Sequence, residues 1–212
     1  MTDSMEIRMN EYDRPPQHFA PNVRDTRPSK FKTFLKNFLE WIGVFLIAFA
    51  VFALVRIFVM APFTVPSGSM EPTIHVGDNV FAQKVTLNLG QDVEVGDIVV
   101  FKNVEPSAEH ETLIKRVVAT EGQTIEFIDG VVYVDGVPLD EPYTVGTTYE
   151  LVPTDSVGQI IYPYTVPEGF IWVMGDNREN SADSRYFGPV PKENLIGVAF
   201  FRYWPLDRIG VL

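Results

Sequence analysis

The pattern of apolar and polar positions divides the chain at about residue 64. Positions 41–55 form an unbroken apolar run, Arg56 interrupts once, and positions 57–63 resume it. At ~1.5 Å per residue, a helix over this stretch spans the ~30 Å hydrocarbon core of a bilayer. Arg56 stands near the far end, where a long side chain can snorkel to the interface. Beyond Thr64 the pattern changes to short apolar or alternating runs between turn residues, which reads as strands. The runs at 79–84, 98–101, 112–120, 169–174 and 196–203 are the expected strands. Asp129-Gly130 predicts a hairpin within 125–133, and Asp135-Gly136 supplies the next turn. Pro142, Pro153, Pro163 and Pro167 make 140–168 an irregular excursion. No amphipathic helix longer than two turns is expected after the apolar run.

This pattern predicts a mostly β protein: an antiparallel β-sheet domain outside the cytoplasm, preceded by a single N-terminal transmembrane helix. The expected parts are a cytoplasmic tail over 1–37, an anchor helix over 38–63 and a β-rich domain over 64–212. The last carries an irregular insertion at about 136–168. Residues 1–29 are polar and read as a mobile tail. In the window 23–36, Arg24, Arg27, Lys30, Lys32 and Lys36 stand against a single acid, Asp25, while Glu71 and Asp78 follow the apolar run before Lys84 appears. The positive-inside rule therefore puts the N-terminus in the cytoplasm. The segment reads as a retained anchor and not a cleaved leader. Its n-region is too long, and Met60-Ala61-Pro62 stands where a small-x-small site would be needed.

A net charge of −11 argues against a nucleic-acid surface. The chain has no cysteine, which excludes disulfides, a cysteine nucleophile and thiolate metal sites. Its three histidines, His18, His75 and His110, are too scattered to suggest a metal site, and neither metal nor cofactor is expected.

Three stretches could carry chemistry. In Pro66-Ser67-Gly68-Ser69-Met70-Glu71-Pro72-Thr73, two hydroxyls flank a glycine that lets the backbone turn, between prolines that stiffen approach and exit. Taken alone it also reads as a loop leaving a membrane helix. In Leu113-Ile114-Lys115-Arg116-Val117-Val118, strand alternation sets Lys115 on a face with Leu113 and Val117, and Arg116 with Ile114 and Val118. A desolvated lysine loses its charge more easily and can serve as a base; the plain alternative is a strand-edge lysine reaching water. The polar run 175–185 reads as an exposed turn, yet it offers hydroxyls to orient an amine and acids to pair with Arg116, Arg178 or Arg185. A serine nucleophile needs a base. His75 and His110 have no evident route to Ser69, and no acid shows a burial signal, so a Ser-Lys pair is the best internal reading.

With these residues in order, the chain resembles the bacterial type I signal peptidases, membrane-bound Ser/Lys endopeptidases. The resemblance covers 56–212. It rests on the serine box at 62–73, Gly96-Asp97-Ile98-Val99-Val100-Phe101, Lys115-Arg116-Val117-Val118, and Gly175-Asp176-Asn177-Arg178 with Ser181, Asp183, Ser184 and Arg185. It implies that Ser69 is the nucleophile and Lys115 the general base. It makes the Ser69 N–H and the Ser67 hydroxyl the oxyanion hole, and Ser181 the residue that orients Lys115. It pairs Asp176 with Arg116 and Asp183 with Arg185 as supporting ion pairs. Substrate would lie as an extended strand between 64–67 and 112–114, with Val65, Met70, Ile74, Leu113 and Ile114 walling small pockets that favour Ala-x-Ala sites. The implied partners are signal peptides of exported preproteins, the lipid bilayer and the secretion translocon, in the plasma membrane of a bacterium. The sequence departs from the family at Ala119-Thr120-Glu121-Gly122-Gln123, where a different turn is usual. Its one span and short middle region look like the form common in Gram-positive bacteria. A Ser/Lys protease acting on itself or one dedicated partner, and a non-catalytic binder at the translocon, are the competing readings. The aromatic run 200–206 reads as a core strand, or as a segment whose Tyr203 and Trp204 enter the membrane interface.

Overall fold

The computed structural model describes residues 30–105, 110–153 and 158–212. Most of the expected tail, residues 1–29, therefore lies outside the described residues, as do Glu109 and positions 154–157 of the excursion. The chain falls into two compact units, Met1–Leu46 and Ile47–Leu212. Helix α1 (Lys30–Phe58) begins in the first and ends in the second. Over Lys32–Arg56 it is long and apolar enough to cross a membrane, by length and composition. Its apolar side chains are largely exposed, and Phe34/Phe38 and Trp41/Phe45 pair at i,i+4 along its surface.

The helix differs at both ends from the expected 38–63. It includes Lys30 to Asn37, where Phe34 and Leu35 carry the helical spacing back from Phe38. It stops at Phe58, because Pro62 cannot continue a helix and positions 60–64 find backbone partners in a sheet.

The second unit is built on two antiparallel sheets. The strands are β1 (Met60–Thr64), β2 (Asn79–Gln83), β3 (Ile98–Lys102), β4 (Thr112–Thr120), β5 (Thr124–Ile128), β6 (Val131–Val134), β7 (Val137–Pro138), β8 (Tyr164–Thr165), β9 (Phe170–Met174), β10 (Val190–Pro191), β11 (Leu195–Trp204) and β12 (Gly210–Val211). The larger sheet has the order β1-β2-β11-β3-β4-β9-β10, with β12 also on β11; the smaller has β7-β6-β5-β8. All the strands expected from the sequence are found, to within a residue or two at their ends. Two four-residue helices, α2 (Val85–Asn88) and α3 (Ser184–Phe187), interrupt the loops.

β3 reads as a continuous apolar run because both its faces are covered. Ile98 and Val100 join Val65, Met70, Ile74, Val80 and Ile114 in one core, while Val99 and Phe101 join Val117, Ile171, Val173 and Phe187 in another. A third core, around Ile125, Val132, Trp172 and Met174, seats the smaller sheet against β4 and β9. Both Asp-Gly turns take the left-handed backbone that a two-residue hairpin needs: φ is 51° and 82° at Asp129-Gly130, and 52° and 75° at Asp135-Gly136. Near the C-terminus, Tyr203 stacks on Phe81 with ring centres 4.3 Å apart, while Trp204 is half exposed. Asp78, wholly buried, is held there by Arg202 and Arg208.

Candidate active site

The serine turn hangs between two fixed points. Val65 donates to Asp78 O and accepts from Gly77 N–H, each at 2.9 Å. Met70 and Ile74 then sink wholly into the first core. Between them, Gly68–Met70 form a single 3-10 turn entered from extended Ser67. Gly68 is not among the glycines with positive φ, so left-handed freedom is not what this turn uses. A Cβ there would lie 3.3 Å from the Glu71 carboxylate, the mobile end of a side chain that can shift aside.

Ser69 and Lys115 are both buried. Lys115 reaches from β4 until its Nζ lies 2.6 Å from Ser69 Oγ, and it also donates to Ile114 O at 3.1 Å. Burial disfavours the ammonium and lowers its pKa to about 8, against the pull of Asp183 and Asp176, which favour the charged form. Ser67 Oγ lies 3.5 Å from Ser69 Oγ, on the same side of the turn.

The loop 175–185 closes the site from β9. Asn177 N–H donates to Ser69 O at 3.0 Å and its side-chain amide to Gly68 O at 3.3 Å. Arg116 takes both oxygens of Asp176 at 2.8 and 2.7 Å. Arg185 takes both of Asp183 at 2.8 Å and donates to Arg178 O at 2.7 Å. Charges this deeply buried must be paired and hydrogen-bonded, and these are. Ser181 Oγ is buried with no hydrogen-bond partner among the described residues, so the bond to Lys115 expected from the resemblance is not made here. It does lie against the serine turn: a Cβ on Gly175 would meet both Ser181 Oγ and Ser69 O well inside contact distance.

A cleft of about 280 Å³ leads up to Ser67 and Lys115, between 63–67 on one side and 110–115 on the other. β1, β2, β11, β3 and β4 are each antiparallel to the next, so β1 and β4 run the same way, both toward Ser69 and Lys115. β9 begins pairing with β4 only at Arg116, so among the described residues 112–115 have no strand partner on that side, and they line the cleft. Val65, Leu113 and Ile114 line it. Met70 and Ile74, expected as pocket walls, do not; the 3-10 turn directs them into the core beneath.

Several residues of the site were not evident beforehand. Thr73 Oγ1 donates to Asp176 at 2.5 Å. Glu141 pairs with the buried Arg178, which also donates to Thr148 at 2.8 Å. The ring of Tyr143 lies 3.8 Å from the Arg116 guanidinium carbon. Nothing in the spacing of the irregular excursion marks these positions; Glu141 and Tyr143 simply flank a proline.

Residues 38–204 match the family model described as signal peptidase, peptidase S26. A probable signal peptidase I-1 of Synechocystis is 39% identical over 178 residues, covering 82% of this chain and 86% of that protein. A second from Synechocystis, probable signal peptidase I-2, is 37% identical over 194 residues, covering 90% and 84%. The signal peptidase I of Bacillus licheniformis is 33% identical over 180 residues, covering 82% and 93%.

Proposed function

This chain belongs to the signal peptidase family, peptidase S26, and from that premise we propose that it is a membrane-anchored serine endopeptidase removing N-terminal signal peptides from exported preproteins. The observation that carries the reading is the 2.6 Å approach of a buried Lys115 amine to Ser69 at the end of a cleft lined by 63–67 and 110–115. The substrate lies extended between the edges of β1 and β4, with small side chains entering the space beside Val65, Leu113 and Ile114. That favours cleavage after small-x-small sequences.

In the proposed reaction, the neutral Lys115 amine takes the Ser69 hydroxyl proton as Oγ attacks the scissile carbonyl carbon. The Ser69 N–H and the Ser67 hydroxyl hold the oxyanion. As the C–N bond breaks, Lys115 returns its proton to the leaving amine, and an ester to Ser69 remains. The neutral Lys115 amine then takes a proton from water as the water oxygen attacks the ester carbonyl carbon, and on collapse the C–O bond to Ser69 breaks and Lys115 returns the proton to Ser69 Oγ. Asp176 with Arg116, and Asp183 with Arg185, hold the surroundings rigid and neutralised. Ser181 is assigned to orient Lys115 once a substrate shifts the side chains. α1 spans the plasma membrane, with the N-terminus inside and the β domain outside. It confines enzyme and membrane-borne substrate to one surface and so raises their effective concentration.

The test is cleavage of a preprotein with an Ala-x-Ala site by detergent-solubilised enzyme. Ser69→Ala and Lys115→Ala are expected to be folded and inactive, and Ser67→Ala to lose ~10²–10³ in turnover, as for one oxyanion donor. A Lys115→Ala variant with most of its activity would overturn the lysine base.

A further inference from the structure

Arg116 leaves β4 directly beside Lys115, and every edge of its guanidinium is occupied. Nε and Nη2 hold Asp176, and Nη1 donates to Gly96 O at 2.8 Å. Its face is covered by the Tyr143 ring, with Cζ 3.8 Å from the ring centre. A cation this close to an aromatic face is attracted by the ring quadrupole, more strongly when water is excluded. The chain on either side of Tyr143 is itself tied down. Thr144 returns two bonds to Glu141 O, at 3.2 and 3.0 Å, and the Glu141 carboxylate is held by buried Arg178. Val145 donates to Asp176 O and accepts from Arg178 N–H, each at 2.9 Å. Asp176, in turn, accepts from Thr73 beyond the serine turn, and its neighbour Asn177 holds the Ser69 carbonyl.

We propose that Tyr143 is a positioning residue of the cleavage reaction: its ring face locks Arg116 onto Asp176, and through Asp176 and Asn177 fixes the turn that carries Ser69. This rests on the reading of Ser69 and Lys115 as the reacting pair. The phenol hydroxyl contributes little, since its contact with Glu141 Oε1 is 3.5 Å, at the limit of a hydrogen bond. The ring face is what acts.

The charged groups around the pair are Arg116 on β4, Asp176, Arg178, Asp183 and Arg185 on the loop, and Glu141 on the excursion. Each carboxylate is matched to one guanidinium. Without the ring, Arg116 gains freedom and cancels less of the Asp176 charge. Asp176 then draws a proton onto Lys115, so turnover falls and the acid limb of the rate profile moves to higher pH.

The experiment measures kcat, KM, the pH profile and the melting temperature of the full chain in detergent, on an Ala-x-Ala peptide, for wild type, Tyr143→Phe and Tyr143→Leu. Phe keeps the ring and is expected within about twofold of wild type, whereas Leu keeps apolar bulk without a π-face and is expected to lose about tenfold in kcat. For Leu, KM should change little and the acid limb should move up. A Tyr143→Leu enzyme that turns over like the Phe variant, or whose loss merely tracks its folded fraction with the limb unmoved, overturns the inference while an active wild type leaves the dyad standing. A folded wild type that does not cut the peptide overturns both.

Discussion

At the scale of single residues, the proposed reaction makes Lys115 the group that sets the response to pH. In that reaction its amine must be neutral to accept the Ser69 proton, and burial has brought its pKa to about 8. The neutral fraction therefore grows as pH rises through that value. We expect kcat/KM to climb about tenfold per pH unit below it and to level off above. Initial rates across the range would check this, and a flat profile through about pH 8 would remove Lys115 from the role. The residues proposed to react were legible in the sequence because each sits in a short, locally patterned run: two serines around a glycine, and a lysine inside an apolar strand. Of the residues that support them, the pairs Asp176–Arg116 and Asp183–Arg185 were legible through the resemblance, whereas Tyr143 and Glu141 were not. Tyr143 and Glu141 lie far along the chain from Arg116 and Arg178, in a stretch with no period. Only the folded chain brings ring to guanidinium and carboxylate to guanidinium. Ser181 shows the opposite case, a residue legible by resemblance whose hydroxyl makes no bond in this structure.

At the scale of elements, turn chemistry proved the most readable signal and helix ends the least. Asp129-Gly130 and Asp135-Gly136 bend the smaller sheet as their residue types require. The Asp129-Gly130 hairpin carries a further constraint, because a Cβ on Gly130 would strike the Thr147 methyl on the neighbouring excursion. With φ at 82° as well, Gly130→Ala is expected to cost about 1–3 kcal/mol of stability and lower the melting temperature. Peptide cleavage per folded molecule should be unchanged, since the hairpin lies outside the cleft; calorimetry beside a kinetic assay would separate the two effects. α1 ends at Phe58 and not at the expected Phe63, although 60–63 are apolar enough to extend a membrane helix. Hydropathy cannot see that β2 offers those same residues a full register of partners, from Met60 opposite Gln83 to Thr64 opposite Asn79.

At the scale of the whole molecule, the proposed arrangement is one span with the β unit on the outer side. The natural chain has no cysteine, so one introduced thiol reports one position. Val137→Cys, on the exposed strand β7, should react with a membrane-impermeant maleimide in intact cells. Labelling that appears only after lysis would reverse the topology. The gap between β1 and β4 carries a further implication for secretion. In the proposed reading, a substrate that lies extended between these two strands can enter only where it has no structure of its own. Cleavage would thereby act as a clock on folding: a passenger that coils or folds across its junction before the enzyme arrives would keep its leader. Secreted sequences are thus under pressure to stay extended at that junction for as long as export takes.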